Sequence, residues 1–192
     1  MNIRRILAPL VLAAVLAGCA NVVKIGPGDT VVADRVAVNI DGAWNQLNLP
    51  GTATAATWTQ DGITLDLLQF YVALKDGATL APAAAKEQRP LTFKASMQPH
   101  EIVSLFQGLY TRDGSTFALD RLEPADFLGG SGFRFQYTVV RKADDVRVSG
   151  VAWGAVRNNE LFAMTFTAPR AGFFVRHEKR VEQIAKTARL KG

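Results

Sequence analysis

The sequence predicts an α+β fold: an antiparallel β-sheet covered by two main helices, at about 98–111 and 172–189. Three observations predict it. Between residues 116 and 167, four short segments alternate apolar and polar side chains, as half-wet antiparallel strands do. Two other segments carry apolar residues at helical spacing. The segments run in the order strands, helix, strands, helix. Composition fits one globular domain: 192 residues, 48% hydrophobic and 20% charged, which excludes a disordered tail and a polytopic membrane protein. The single cysteine excludes a disulfide framework and a cysteine-based zinc cluster. A formal net charge of +5 is too moderate for a dedicated nucleic-acid binder.

Residues 30–40 are rich in Val with near-alternation and read as a strand. Segments 57–60 and 63–74 flank Asp61-Gly62, the dipeptide of a type I′ hairpin turn. Asp-Gly recurs at 41–42, 76–77 and 113–114; the flanks share no period, so these are turns and not a repeat. Residues 81–90, Ala-rich and bounded by Pro82 and Pro90, read as a surface loop, and 91–95 as a short strand. The first helix runs over 98–110. Pro99 suits its first position, Glu101 lies where the helix dipole favours an anion, and Ile102, Leu105, Phe106 and Leu109 form one stripe. Asp113-Gly114 ends it.

Strands follow at 116–122, 132–142, 146–156 and 160–167. In the second, Phe133, Phe135, Tyr137 and Val139 share one face. Asp144-Asp145 and Asn158-Asn159 are tight turns, since Asn and Asp tolerate positive φ. Residues 172–190 form the last helix, with Phe174, Val181, Ile184, Ala185 and Ala188 buried and Glu182 paired to Lys186.

The amino terminus reads as an export signal. Arg4 and Arg5 precede an apolar run at 6–16, too short for a span of ~20 apolar residues. Leu16-Ala17-Gly18-Cys19 then resembles the lipobox of bacterial lipoproteins. That resemblance implies a diacylglycerol on the Cys19 sulfur, cleavage that removes a signal peptide of residues 1–18, and acylation of the new amine. Several acyl chains make such an anchor stable, one chain alone being marginal. Ala20, not Asp, follows the cysteine; in a host with two membranes the family's sorting habit then points to the periplasmic face of the outer membrane. Residues 19–30, with Gly26-Pro27-Gly28, read as a tether, and 31–192 as the single domain.

The stretch Leu161-Phe162-Ala163-Met164-Thr165-Phe166-Thr167-Ala168-Pro169 ahead of a terminal helix resembles the PsbP-like fold of small extracytoplasmic proteins. So does Gly42-Ala43-Trp44 ahead of a strand holding Trp58 and then Asp61-Gly62. The resemblance covers most of the mature chain and implies diverse, mostly non-enzymatic roles.

Catalytic constellations are sparse. His100 and His177 fall on different helices with no metal-ligand spacing; His177 reads as a surface residue at the edge of its stripe. Gly129-Gly130-Ser131-Gly132 misses the nucleophile elbow at its fifth residue and leads into a strand, so it reads as a loop. Asp120, Glu123 and Asp126 flank Pro124, which suggests a solvated loop, and Asp144-Asp145 sit in a turn.

Trp44 and Trp58 read as core. Val151 and Trp153 are a candidate ligand face, because Gly150, Ala152 and Gly154 leave space on the other side of their strand. Residues 170–192 hold seven basic side chains against Glu178 and Glu182. Arg176, Lys179, Arg180 and Lys186 are therefore candidate contacts to anionic headgroups or acidic wall polymer.

The expectation is a lipid-anchored envelope protein without a cofactor, binding a partner protein or a small apolar ligand. The alternatives are an envelope hydrolase using Asp120, Asp126 and Ser131 within 120–131, and an anionic-surface binder.

Overall fold

The computed structural model describes residues 21–48, 55–81 and 90–191. The signal segment, Cys19 and most of the expected loop 81–90 lie outside the described residues. The elements are β1 (Asn21–Ile25), β2 (Gly28–Val32), β3 (Val36–Ile40), β4 (Trp44–Asn48), β5 (Ala56–Thr59), β6 (Leu67–Lys75), α1 (Pro99–Tyr110), β7 (Thr116–Phe127), β8 (Gly130–Val140), β9 (Arg147–Arg157) and β10 (Glu160–Pro169). An irregular π-type turn (Arg170–Phe174), α2 (Val175–Thr187) and β11 (Arg189–Leu190) complete the chain.

Eight strands form one antiparallel sheet in the order β1-β4-β5-β6-β10-β9-β8-β7, and β11-β3-β2 form a second. The large sheet buries both faces. On one side Trp44, Trp58, Phe70, Trp153 and Phe166 pack beneath Val181, Ile184 and Ala185 of α2, with Val36, Val38 and Ile40 of β3 closing the core. On the other side Tyr71, Phe133, Phe135, Tyr137 and Ala163 pack beneath Ile102, Val103 and Phe106 of α1. The alternation expected in β8 is the reason: its four aromatic and apolar residues all face α1, while Arg134 faces α2 and ion-pairs with Glu182.

α1 starts as expected. Gln98 caps it, Pro99 takes the first turn, and the Glu101 carboxylate accepts the Gln98 N–H at 2.7 Å. The class is α+β, but the described strands form two sheets where one was expected, and the second sheet shares the cover of the α2 face.

Several boundaries are corrected. The expected tether 19–30 is largely sheet, because β1 pairs with β4 from Asn21↔Asn48 to Ile25↔Trp44 and β2 begins at Gly28. The strand expected at 30–40 is a hairpin that turns at Ala33-Asp34, both at positive φ. Asp61-Gly62 is not a two-residue turn; it lies in a longer loop between β5 and β6. Residues 91–95 contribute a single bridge, Thr79↔Thr92. Pro124 sits inside β7, not in a loop, and edge position explains its tolerance, since the missing N–H faces no partner strand. The loop expected at 129–132 is a two-residue turn, Leu128-Gly129, with φ of 55° and 72°. The terminal helix ends at Thr187 and the chain then pairs with β3.

Candidate functional site

A mostly apolar hollow opens at the end of the sheet where β6 begins and β10 finishes. It has a volume of about 190 Å³. Its walls are mostly apolar: Ile63, Leu65 and Leu67 from the β5–β6 loop and β6, Val139 and Val148 from β8 and β9, and Pro169 from β10. An apolar cavity of about 150 Å³ is enough to hold benzene, so the space suits a ring-sized molecule.

The β5–β6 loop forms the lip, and a buried carboxylate holds it. Asp66 accepts hydrogen bonds from the Thr59 hydroxyl at 2.7 Å and from the backbone N–H groups of Asp61 at 2.7 Å and Gln60 at 2.8 Å. Thr59 in turn accepts the Gly62 N–H. From the opposite side Arg141 donates to the Thr64 carbonyl at 3.1 Å, and its remaining donors fork onto Asp144. The guanidinium thereby ties the lip to the β8–β9 turn.

Three hydroxyls form a chain behind the apolar walls. Tyr137 donates to the Tyr110 oxygen at 2.7 Å, and Thr167 Oγ1 lies 3.0 Å from the Tyr137 oxygen. With Tyr137 donating onward, Thr167 is the donor to Tyr137. Tyr110 closes the chain and lines the hollow, and its own proton has no acceptor among the described residues. Gln69 also lines the hollow, and its amide makes no hydrogen bond to a described residue. Burial, more than the neighbouring Tyr110, pushes the phenols of Tyr137 and Tyr71 well above their ordinary range. At the rim, hydrogen bonds from Ser115 hold the Asp113 carboxyl below its ordinary value. The arrangement offers the Tyr110 hydroxyl and the Gln69 amide in an open, mostly apolar hollow.

The residues expected to act lie elsewhere. Val151 and Trp153 are buried in the α2-side core, with the Arg134 guanidinium 5.5 Å from the indole ring centroid. The space expected opposite them is filled by aromatic rings. A β-carbon on Gly150 would stand 2.1 Å from Cζ of Tyr137, and one on Gly154 would stand 2.3 Å from Cζ of Phe133. Val151 and Trp153 therefore present no open ligand face.

The carboxylates are not gathered. Asp120 accepts from Thr138 and lines a hollow beside Glu178 and Arg170, whereas Asp126 sits opposite Ser131 near the β7–β8 turn. Six residues of strand separate the two acids by about 20 Å, far beyond the ~5–9.5 Å that glycosidic acid–base pairs need.

The basic helix is half committed to its own domain. Arg180 pairs with Asp41 at 2.8 Å and donates to Gln60, and Arg176 lies 3.7 Å from Asp61. Lys179 and Lys186 are exposed and make no ion pair with a described residue. His177 is buried, not a surface residue. Its Nε2 lies 2.6 Å from Asp61, and its ring lies between Trp44 and Phe166. Among the described residues no cluster of His, Cys, Asp and Glu could hold a metal ion, and no helix is long and apolar enough to cross a membrane.

No family model matches the chain, and no curated protein matches it in sequence. Among solved structures, cyanobacterial PsbP (CyanoP) from Synechocystis sp. PCC 6803 matches with a TM-score of 0.58 at 10% identity, over 91% of this chain and 95% of that one. A crystal structure from Bacteroides thetaiotaomicron VPI-5482 matches with a TM-score of 0.49 at 9% identity, over 88% of this chain and 50% of that one. The likeness to CyanoP spans nearly the whole of both chains and is one of architecture: the fold of this protein is PsbP-like.

Proposed function

We propose that this chain is the precursor of a lipid-anchored cell-envelope lipoprotein with a non-enzymatic binding role. Its ligand is a small apolar molecule carrying one acceptor oxygen. The anchoring half rests on Leu16-Ala17-Gly18-Cys19 behind a charged and then apolar leader. The observation that carries the binding half is Tyr110, which lines a mostly apolar hollow of about 190 Å³ and whose hydroxyl proton has no acceptor among the described residues. Tyr110 is half-buried, and a carbonyl or carboxylate oxygen entering the hollow would accept its proton in place of solvent. In a host with two membranes, Ala20 after the cysteine favours the periplasmic face of the outer membrane.

Two experiments test the halves separately. Palmitate labelling of wild type and Cys19→Ala tests the anchor: label on wild type alone is expected, and equal labelling refutes it. Ligand-observed NMR with acetophenone tests the hollow. Binding is expected to weaken about fivefold in Tyr110→Phe, one neutral hydrogen bond's worth, and to vanish in Leu65→Trp, which fills the lip. Unchanged binding in both variants removes the site.

A further inference from the structure

We propose that β1 is a membrane-contacting strand, seated edge-on against the bilayer leaflet that holds the Cys19 lipid. The proposal rests on the lipid-anchor reading and goes beyond it in saying how the domain stands on the membrane.

The argument begins with reach. Asn21 opens β1 two residues after Cys19, and two residues extend the chain by about 7 Å at most. An acylated Cys19 therefore keeps the start of β1 at headgroup depth. β1 is no loose arm, because it pairs with β4 along its whole length. Its last pair, Ile25↔Trp44, ends on a fully buried indole packed against Trp58. The lipid is thus attached almost directly to a sheet edge.

That edge has the composition an interface requires. β1 is the outermost strand of the large sheet, and no described strand covers its free side. Val22 is 55% exposed and Val23 50% exposed, although they point to opposite faces of the strand. Lys24 beside them is exposed, and residues 21–28 contain no acid. Apolar side chains flanked by a cation suit the boundary between acyl chains and anionic headgroups.

The opposite edge is built differently. β7 exposes Asp120, Arg121 and Asp126, and seven strand spacings put it on the order of 30 Å from β1. The sheet therefore has an edge beside the anchor that joins two exposed valines to a cation, and a far edge on which the exposed Leu119 stands among acids and Arg121. This polarity favours a bilayer over a second copy of the chain at β1.

The test uses the acylated protein reconstituted into phosphatidylethanolamine vesicles containing phosphatidylglycerol. Acylation consumes the one native thiol, so Val23→Cys and, on the far edge, Leu119→Cys each supply a single site for a fluorophore. Both positions are exposed, so both variants are expected to fold. A nitroxide carried on lipid headgroups is expected to quench the label at 23 severalfold more than at 119, and aqueous iodide is expected to do the reverse. Val22→Asp in the Val23→Cys background is expected to abolish the lipid-borne quenching while the protein still floats with vesicles.

Equal quenching at the two sites of a floating protein overturns the seating and leaves the anchor intact. A label at 23 shielded from iodide but not reached by the lipid nitroxide means that another chain covers β1, which also overturns it. A protein that carries no acyl group and fails to float overturns both readings.

Discussion

Nε2 of His177 lies 2.6 Å from Oδ2 of Asp61, tying α2 to the β5–β6 loop through a ring packed between Trp44 and Phe166. The histidine side chain is 6% exposed and the aspartate 28%. His177→Ala leaves a void and strands a partly buried carboxylate, and is expected to cost about 2–3 kcal/mol. Asp61→Asn keeps a hydrogen-bonding group at the same place and is expected to cost about 1 kcal/mol or less. Urea midpoints at constant m-value measure both; two midpoints equal to wild type would show the pair to be idle.

Gly150 and Gly154 admit the rings of Tyr137 and Phe133 at less than contact distance from any added β-carbon. Gly150→Ala forces a ring out of a packed face and is expected to destabilise by about 1–3 kcal/mol. Gly26→Ala meets nothing within 4 Å and serves as the neutral control. Equal thermal midpoints for the two variants would contradict the packing.

Two of the three tyrosines ionise only with difficulty in the fold, because burial raises the phenols of Tyr71 and Tyr137. Their folded-state values exceed the unfolded value of about 10, so the unfolded chain gives up these protons first. The stability they contribute is complete below about pH 10 and is lost as pH rises above it. Absorbance at 295 nm during alkaline titration is expected to show these two phenolates appearing together with loss of near-ultraviolet dichroism. Their appearance in a still-folded protein would sink this account.

Asp66 organises the lip of the hollow by accepting three hydrogen bonds on one buried carboxylate. Asp66→Ala is expected to cost about 3 kcal/mol, since bonds to charged groups are worth roughly 1.5–3 kcal/mol each and the freed donors regain water. Amide exchange at Gln60, Asp61 and Gly62 is expected to accelerate, while exchange in β8 and β9 stays slow. Unaltered exchange in the loop would show that another contact holds it.

What could be read from the residues was local. The period-two pattern of Phe133, Phe135, Tyr137 and Val139 found β8 and its buried face, and Pro99 with Glu101 found the start of α1. What could not be read was register and long-range pairing. Small residues in β9 suggested open space, but Gly150 stands opposite Tyr137 and Gly154 opposite Phe133, so neighbouring rings fill it. The charge of the terminal helix was plain, yet Asp41 and Asp61 come from loops more than a hundred residues earlier and satisfy Arg180 and Arg176. The hydroxyl chain draws Tyr110, Tyr137 and Thr167 from three elements, and no sequence spacing announces it.

The junction of β6 with β10 has a last consequence. Tyr71 lies opposite Ala163, so the sheet closes along a seam whose two sides are about ninety residues apart in the chain. Until β10 arrives, the half that contains β4 to β6 presents a bare hydrogen-bonding rim to whatever surrounds it, and such rims recruit strands from other molecules. The nascent polypeptide is therefore expected to depend on escort by a holding chaperone until its last third is available.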